Sequence, residues 1–372
     1  MPPRRLRILG SRGIPNRHGG FEACAQHLAP WLVQRGWDVT VYCQEAPGTA
    51  FRQDHWRGVG LEHVPTPSAG PLGSIWFDAW TTRHAARHDD LVLTLGFNTA
   101  VLFPWHRLRG RRHVVNMDGL EWQRGKWSRP VRIWFWINSW VAGYAATHLI
   151  ADHPEIARLL AGRGWAGRTT MVPYAAERVE EASVEPLQAW SLAPRRYGLV
   201  IARPEPENSV LEVVRAWSSL PRPFPLVVLG AYDSGHPYHA AVRAAAGPDV
   251  IFAGALYDAS VVQALRHHAR LYVHGHTVGG TNPSLVEALG AGSPVLAHDN
   301  VFNRWVAGPG ARFFQSETDC ARALATLLDD DAALGAMRAA SYARHAEAFT
   351  WEQVLPAYEQ VLLRAMRDPG GP

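Results

Sequence analysis

The chain contains little cysteine, and its cysteines do not form a metal-binding pattern. The three are Cys24, Cys43 and Cys320, far apart in apolar or helical contexts. Zinc and iron–sulfur sites need clustered ligands, so these sites are excluded. An odd count without a secretion signal favours reduced thiols in the cytosol. A DxD-type acidic motif is also missing, because Asp89-Asp90 is an isolated pair at a predicted strand start. We therefore expect no metal and no cofactor.

Lysine is almost absent. Lys126 is the single lysine, although lysine and arginine together number 37 and the formal net charge is +4. Codon bias in a GC-rich genome explains this ratio better than an anionic partner does. The diffuse positive excess still suits a phosphate ligand or an anionic membrane surface. No nucleic-acid-binding motif is found, so we expect no nucleic-acid partner.

Long apolar runs are missing as well. No run reaches the roughly 18 residues expected of a transmembrane helix. The opening MPPRRLRILGSRG passes from basic residues directly into a short strand, without the longer apolar core of a signal peptide. We therefore expect a cytoplasmic protein, whose contact with the inner face of the cell membrane would be peripheral.

What the chain does have is an alternation of short strands and helices. A strand at 6–10, a helix at 20–35 and a strand at 39–42 form a βαβ opening, which predicts a parallel sheet. The second half repeats this plan from residue 197. We predict an α/β protein of two doubly wound Rossmann-like domains, each with a ligand site at the carboxyl edge of its sheet. The predicted parts are a first domain at 1–178, a linker at 179–195, a second domain at 196–348, and a C-terminal helix and tail at 349–372, with the helix crossing back to the first domain.

The other predicted elements follow the same alternation. In the first half they are strands at 91–95, 113–116, 149–151 and 170–173 and a helix at 130–146. In the second half they are strands at 197–201, 226–229, 250–252, 271–273 and 295–297, with helices at 209–218, 238–246, 260–267, 284–291, 318–328 and 331–348.

The most informative stretch is Gly279–Glu287. A glycine-rich turn there follows a buried strand and leads into a helix, so free backbone N–H groups and the positive end of a helix dipole form an anion site. Glu287 lies in the first turns of that helix, where a carboxylate can accept hydrogen bonds from sugar hydroxyls. This pattern predicts binding of a sugar nucleotide. The alternative is an ordinary strand–turn–helix of an α/β domain. The candidate donor-binding residues here are Gly280, Thr281, Asn282, Ser284 and Glu287.

A second glycine-rich turn follows the first strand, in GSRGIPNRHGGFE. Its glycines, including Gly19 and Gly20, permit close backbone approach, while Arg12, Arg17 and His18 add donors. The spacing matches neither a GxGxxG fingerprint nor a P-loop. Two such turns, one in each domain, predict a ligand held across an interdomain cleft.

Several segments together resemble bacterial retaining glycosyltransferases of the GT-B fold, in particular a rhamnosyltransferase-like subgroup of glycosyltransferase family 4 that builds polysaccharides. The segments are 10–43, NMDGLEWQRGKW at 116–127, LIADHPEIARLL at 149–160, VIARPEPENS at 200–209, 275–304 and FTWEQVLPAYEQVL at 349–362. The resemblance implies a nucleotide-diphosphate sugar as donor, with rhamnose or another hexose transferred to a glycan or lipid-linked acceptor. It also implies a retaining reaction without metal.

The chain departs from the wider family at two positions. That family has a Glu, seven residues and a second Glu; here the second is Glu287 but the first position holds Gly279. An arginine and a lysine usually bind the donor diphosphate. Arg203 matches the arginine, whereas Asn208 stands at the lysine position. Lys126 is predicted to lie in the other domain, so no lysine nearby in sequence can replace it.

The predicted chemistry needs positive charge at the leaving diphosphate. Arg203, Arg12 and the amides of the two glycine turns are candidates to supply it. For Arg203 the alternative is a surface salt bridge with Glu205 or Glu207. For Glu287 the alternative is a solvated helix residue, and for Gly20 a helix cap.

Asp118 is the candidate catalytic carboxylate, together with Arg203 and Glu287. It follows a buried strand, so it is expected at the sheet's carboxyl edge, where it can orient or deprotonate an acceptor hydroxyl. The alternative is an Asx-turn or helix cap, and Glu121 is the runner-up. The leaving phosphate can also take the proton in retaining enzymes of this kind.

The segment WSRPVRIWFWINSW places tryptophans beside Arg124, Lys126, Arg129 and Arg132. A basic, aromatic helix suits a membrane interface, and a core helix is the alternative. Two other functions stay open for the chain: a GT-B module that binds a sugar nucleotide or glycan without turnover, and a GT-B epimerase acting on the sugar nucleotide.

Overall fold

The computed structural model describes residues 4–15 and 19–367, which form two compact units. The first holds the chain up to Trp122, then Arg129–Pro173 and the segment from Trp351 onward. The second holds Gln123–Ser128 and Tyr174–Thr350. Arg17 and His18 lie outside the described residues.

The elements of the first unit alternate between strand and helix. They are β1 (Arg4–Leu9), α1 (Gly20–Gln34), β2 (Trp37–Glu45), β3 (Arg52–Trp56), β4 (Val59–Pro65), α2 (Gly70–Ala85), β5 (Leu91–Leu95), α3 (Pro104–Leu108), β6 (His113–Asn116), α4 (Arg129–Ala145), β7 (His148–Ala151), α5 (Pro154–Gly162) and β8 (Thr169–Met171). Within the described residues the strands form one sheet in the order β3-β4-β2-β1-β5-β6-β7-β8. All neighbours are parallel except β3 and β4. Every residue of β5 is buried, as expected for a central strand covered on both faces.

The second unit repeats the plan with a smaller sheet. Its elements are β9 (Gly198–Ile201), α6 (Val210–Ser218), β10 (Leu226–Leu229), α7 (Pro237–Ala244), β11 (Val250–Gly254), α8 (Ala259–His268), β12 (Leu271–His274), α9 (Pro283–Gly290), β13 (Val295–His298), α10 (Val301–Ala307), β14 (Arg312–Phe314), α11 (Glu317–Leu327) and α12 (Asp331–Ala348). The strand order is β11-β10-β9-β12-β13-β14, all parallel. Side-chain caps at Asp258, Asn300 and Ser316 satisfy the first amides of α8, α10 and α11.

The prediction of an α/β protein with two doubly wound Rossmann-like domains is confirmed. The predicted strands and helices lie within a few residues of their observed positions. The β3–β4 hairpin was not predicted, because β3 is polar and almost wholly exposed and so has no apolar pattern. Its two-residue turn is Arg57-Gly58, with φ of 50° and 80°. Positive φ at both positions is typical of a type I′ turn, which Asn-Gly rather than Arg-Gly usually signals.

The C-terminal helix, α13 (Trp351–Arg367), belongs to the first unit, as predicted. Glu359 on this helix is 2% exposed. Its carboxylate accepts hydrogen bonds from Arg35 Nε at 2.7 Å and Trp37 Nε1 at 3.0 Å. Tyr358 OH accepts a further hydrogen bond from Asn116 Nδ2 at 2.7 Å. Buried polar contacts thus tie this helix to α1, β2 and β6.

We expect Glu359→Ala to lower the free energy of unfolding by about 1–3 kcal/mol, because the buried Trp37 N–H loses its acceptor. Chemical denaturation followed by circular dichroism measures the change. Glu352→Ala, at an exposed position of the same helix, is the matched control and should shift stability by less than about 0.5 kcal/mol. Equal effects of the two substitutions would contradict this account of α13.

Candidate functional site

The order of strands reverses between β9 and β12 in the second sheet, where two strands far apart in sequence lie side by side. In doubly wound sheets, ligands bind in the crevice at the carboxyl ends of such a strand pair. The loop after β9 carries residues 202–209, and the loop after β12 carries residues 275–282. These two loops carry Arg203, Gly280, Thr281 and Asn282, and α9, which follows directly, carries Ser284 and Glu287.

The loop after β9 carries Arg203, whose side chain is exposed. Asn208, which is 3% exposed, donates from Nδ2 to the Arg203 carbonyl at 2.8 Å. Position 208 therefore shapes the loop that presents Arg203. Among the described residues, the Arg203 guanidinium forms no ion pair with Glu205 or Glu207, which removes the alternative of a surface salt bridge.

The loop after β12 is hydrogen-bonded to the loop after β9. Thr277 donates to the Glu207 carbonyl from its backbone N at 2.8 Å and from Oγ1 at 3.0 Å. Gly275 packs so closely that an added Cβ would lie 2.2 Å from the Asn208 carbonyl oxygen. Any side chain at 275 would thus separate the loops. At Gly279, by contrast, an added Cβ would meet nothing within 4 Å.

The start of α9 is organised by its own polar residues. Asn282 caps the helix, with Oδ1 accepting from the Ser284 backbone N at 3.0 Å. Ser284 Oγ lies 2.6 Å from Tyr272 OH and 3.3 Å from the Ile201 carbonyl. The Ser284 hydroxyl is therefore engaged within the unit. Gly280 and Thr281 are buried beside it.

Glu287 faces a cation that sequence analysis missed. Arg266 at the end of α8 is 7% exposed, and its Nη2 lies 2.5 Å from Glu287 Oε2. The Glu287 side chain is still 34% exposed. It is therefore not a freely solvated helix residue. The buried arginine holds one carboxylate oxygen, which limits the directions in which the other can point.

A basic cluster stands at the same loops, formed by Arg124, Lys126 and Arg203. Arg124 Nη1 and Lys126 Nζ each lie 3.8 Å from Oε1 of the buried Glu207. Burial lowers the pKa of Lys126, and the charges of Arg203 and Arg124 lower it further, while Glu207 and Glu205 raise it. The expectation that Lys126 lies in the other domain is wrong, because residues 123–128 belong to the second unit, where Lys126 is close to Glu207.

Two stacked histidines line the carboxyl end of β12. The rings of His274 and His276 are 4.3 Å apart and nearly parallel, at 10°. Burial lowers the pKa of His274 to about 3. Burial, His274, Arg124 and Arg203 also hold the pKa of His276 well below its usual range. Both rings are therefore neutral at physiological pH, and the site's positive charge comes from its lysine and arginines.

The first unit holds the remaining predicted residues. Arg12 is exposed, and its backbone N–H donates to the buried Glu22 at 2.8 Å. Gly19 precedes α1 in an extended conformation, and Gly20 begins the helix without a side-chain cap. Asp118 is half-buried in the loop after β6 and forms an interaction with its surroundings.

A cavity of about 200 Å³ lies at the β1–β5 switch point of the first sheet. Its lining includes Arg12, Glu22, Asp78, Asn98 and Thr99. Asp78 accepts a hydrogen bond from Thr99 Oγ1 at 2.8 Å, and burial raises the pKa of its carboxyl to about 6. Sequence analysis missed Asp78, because nothing in the polar face of α2 marks it as pointing into a cavity.

The isolated acidic pair has a structural role. Asp90 is buried and accepts from Arg7 Nε at 2.7 Å, while Asp89 forms an ion pair with Arg111. In the part of the chain that the structure describes, no group of three or more His, Cys, Asp and Glu side chains is placed to hold a metal ion.

Helix α4 buries one face and exposes the other. Trp134 is 40% and Trp136 48% exposed, whereas Trp140 is half-buried between Trp165 and Tyr144. The four basic residues predicted beside these tryptophans do not lie together. Arg124 and Lys126 belong to the second unit, and only Arg129 and Arg132 lie on α4. Among the described helices, none has the length and hydropathy needed to cross a bilayer.

Comparison with known proteins places these features in context. Residues 4–177 match a family model described as "Domain of unknown function (DUF1972)". Residues 210–360 match one described as "Glycosyl transferase-like". No curated protein sequence matches the chain.

Solved structures resemble the chain along nearly its whole length. A sucrose-phosphate synthase from Thermosynechococcus elongatus superposes with a TM-score of 0.79 at 16% identity, covering 98% of this chain and 99% of that one. HepE from Anabaena, in complex with UDP and glucose, gives 0.75 at 16% identity, covering 97% and 99%. An α,α-trehalose-phosphate synthase from Burkholderia xenovorans, in complex with glucose-6-phosphate, gives 0.74 at 13% identity, covering 96% and 100%. The chain has the GT-B fold.

The neutral histidines predict a pH-dependent stability. The folded state keeps His274 neutral with a pKa of about 3, whereas an unfolded histidine has a pKa of about 6.5. The unfolded state therefore binds more protons below pH 6.5, and stability is lost as the pH falls. His274→Leu lacks this titrating group, so we expect it to lose less stability on acidification. Between pH 8 and pH 5 its free energy of unfolding should rise by about 2 kcal/mol relative to that of the wild type.

Urea denaturation of both proteins at each pH measures this difference. The pH 8 value is the internal control, because both states are neutral there and only packing differs. A difference between wild type and variant that stays constant from pH 8 to pH 5 would show that His274 is not held neutral by burial.

Proposed function

We propose that this chain is a glycosyltransferase that moves a sugar from a nucleotide-diphosphate donor to an acceptor. The observation that carries the proposal is the cluster of Arg203, Lys126 and Arg124 at the β9–β12 switch point, beside the capped start of α9 and Glu287. Residues 210–360, which include the loop after β12 and Glu287 but not the three cations, match the glycosyl transferase-like model.

The arrangement suits departure of a nucleoside diphosphate. As the glycosidic bond to the donor phosphate breaks, negative charge grows on the diphosphate and positive charge on the sugar ring. Preorganised cations and helix amides stabilise that negative charge without having to rearrange. Each charge-assisted contact contributes about 1.5–3 kcal/mol. Glu287, held by Arg266, is placed to accept hydrogen bonds from hydroxyls of the donor's ribose.

The finer assignments extend the same proposal. The reaction is retaining and needs no metal, since cations of the protein face the leaving group and the departing phosphate can take the acceptor proton. The transferred sugar is rhamnose or another hexose, and the acceptor is a glycan or lipid-linked glycan in polysaccharide synthesis. We also assign Arg12, Gly19 and Gly20 to donor binding and Asp118 to orienting the acceptor hydroxyl.

A second candidate is a module that binds a sugar nucleotide without turnover. Two features favour it. Gly279 carries no carboxylate, and the side-chain amide of Asn208 donates its hydrogen bond to the Arg203 carbonyl rather than to a ligand. Slow hydrolysis of a donor by the purified protein, measured as release of the nucleoside diphosphate, distinguishes the two. Donor binding without any release or transfer would favour the module.

We expect Arg203→Ala and Glu287→Ala each to lower kcat/KM for the donor at least about tenfold, equivalent to about 1.4 kcal/mol. Nucleotide sugars are first screened by thermal shift, and transfer is then assayed in EDTA, where we expect full wild-type activity. Arg322→Gln, an exposed residue of α11, is the control and should match wild type. Wild-type kinetics in both site variants would contradict the assignment of Arg203 and Glu287 to the donor site. A strict requirement for Mg²⁺ or Mn²⁺ would contradict the metal-independent chemistry.

The exposed face of α4 suggests where the protein meets a lipid-linked acceptor. It carries Ile133, Trp134, Trp136 and Ile137, all at least 40% exposed. Trp105 and Leu108 of α3, which packs on α4, are also exposed. Aromatic side chains and nearby arginines favour the headgroup layer of an anionic membrane, so we propose peripheral attachment there.

Wild-type protein is expected to sediment with vesicles containing anionic lipid at low salt and to be released as salt rises. Replacing Trp134 and Trp136 together with Ser should leave the protein in the supernatant, because apolar burial contributes about 25 cal/mol per Å². Tyr257→Ser, at a 78% exposed aromatic of the second unit, is the control and should sediment like wild type. Wild-type protein that stays in the supernatant at low salt would refute membrane attachment and leave the transferase proposal intact.

A further inference from the structure

We propose that Lys126 binds the diphosphate of the donor, replacing the lysine that is missing at position 208. The inference rests on the proposed function, since it assigns a residue to the same site. Lys126 is 81 positions away from Glu207 in sequence, yet its Nζ lies 3.8 Å from the Glu207 carboxylate. Segment 123–128 thus brings the chain's single lysine to the carboxyl end of β9.

Asn208 itself is not available for a ligand. It is 3% exposed, and its Nδ2 donates to the Arg203 carbonyl at 2.8 Å. Its side-chain amide therefore stabilises the loop that carries Arg203. A charged group for the same place has to come from another part of the chain.

Glu207 does not account for the cations around it. Its carboxylate lies 3.8 Å from both Arg124 Nη1 and Lys126 Nζ, a distance too long for a hydrogen bond. In the described part of the chain neither Glu207 carboxylate oxygen has a hydrogen-bond partner, and the Lys126 ammonium forms no hydrogen bond. The buried carboxylate therefore attracts both cations, while the N–H groups of the Lys126 ammonium stay available for a ligand.

The charge balance favours a further anion. Burial lowers the pKa of Lys126, and the charges of Arg203 and Arg124 lower it further, although Glu207 and Glu205 oppose them. The buried Nδ1 of His276 has no hydrogen-bond partner among the described residues. Burial, His274 and the charges of Arg124 and Arg203 all lower the pKa of this histidine. A lysine ammonium is a compact point charge with three donors, which suits a phosphate group. A diphosphate would supply the missing negative charge and the missing acceptors.

The test is binding of inorganic pyrophosphate and of a panel of nucleoside diphosphates, including UDP, measured by isothermal titration calorimetry. We expect Lys126→Gln to weaken binding of pyrophosphate and of the tightest nucleoside diphosphate by about 10- to 100-fold. Lys126→Arg, which keeps the charge, should lose much less. Arg322→Gln, an exposed cation of the same unit, is the matched control and should bind like wild type.

A charge-balanced double variant separates a ligand contact from a structural one. If Lys126 served only to neutralise Glu207, then Lys126→Gln combined with Glu207→Gln would regain wild-type affinity, and the proposal would be overturned. We expect the double variant to stay as weak as Lys126→Gln. Unchanged circular dichroism spectra establish that the variants are folded.

The outcomes also separate this inference from the proposed function. Wild-type protein that binds a nucleoside diphosphate, with equal affinity in Lys126→Gln, overturns the role of Lys126 alone. Wild-type protein that binds neither pyrophosphate nor any nucleoside diphosphate overturns both.

Discussion

Glu207 is the residue on which the site depends. Its backbone carbonyl accepts hydrogen bonds from Thr277 N and Oγ1, which joins the loop after β9 to the loop after β12. Its buried carboxylate faces Arg124 and Lys126. A buried carboxylate is costly unless cations compensate it. The charge of Glu207 therefore requires cations close to the sheet edge, and it brings three separate segments of the chain to one place.

The sequence could predict the features that depend on residues close together in the chain. The apolar runs of β5 and β12 each depend on residues a few positions apart, and both strands were found where they were expected. The two doubly wound domains followed from the sum of such elements, whereas the GT-B expectation came from the resemblance of longer segments to glycosyltransferases. The edge hairpin β3–β4 was missed because an exposed edge strand needs no apolar pattern, so the local signal is absent.

The contacts that define the chemistry of the site are not local. Arg266 and Glu287 are on successive helices, with a strand between them, and only the packing of α8 beside α9 brings the buried guanidinium to the carboxylate. Lys126 was assigned to the first domain because it lies among residues of that half, and chain order gave no sign that segment 123–128 belongs to the second unit. Charge compensation across such distances follows from the folded arrangement, not from spacing.

The two departures from the family pattern lie in loops that touch each other, and they have different physical consequences. Asn208 is buried and donates to the Arg203 carbonyl, so the lost lysine is exchanged for a fixed loop, and the cation can come from Lys126. Gly279 borders open space, where an added Cβ meets nothing within 4 Å, so nothing in the packing required the loss of a carboxylate there. If Lys126 binds the diphosphate as proposed, the positive charge comes from another part of the chain, whereas of the two acidic positions in the family pattern only Glu287 remains. On the proposed function, such a site binds an anionic diphosphate more firmly than a neutral sugar, because its arginines and its lysine can pair with charged phosphate oxygens.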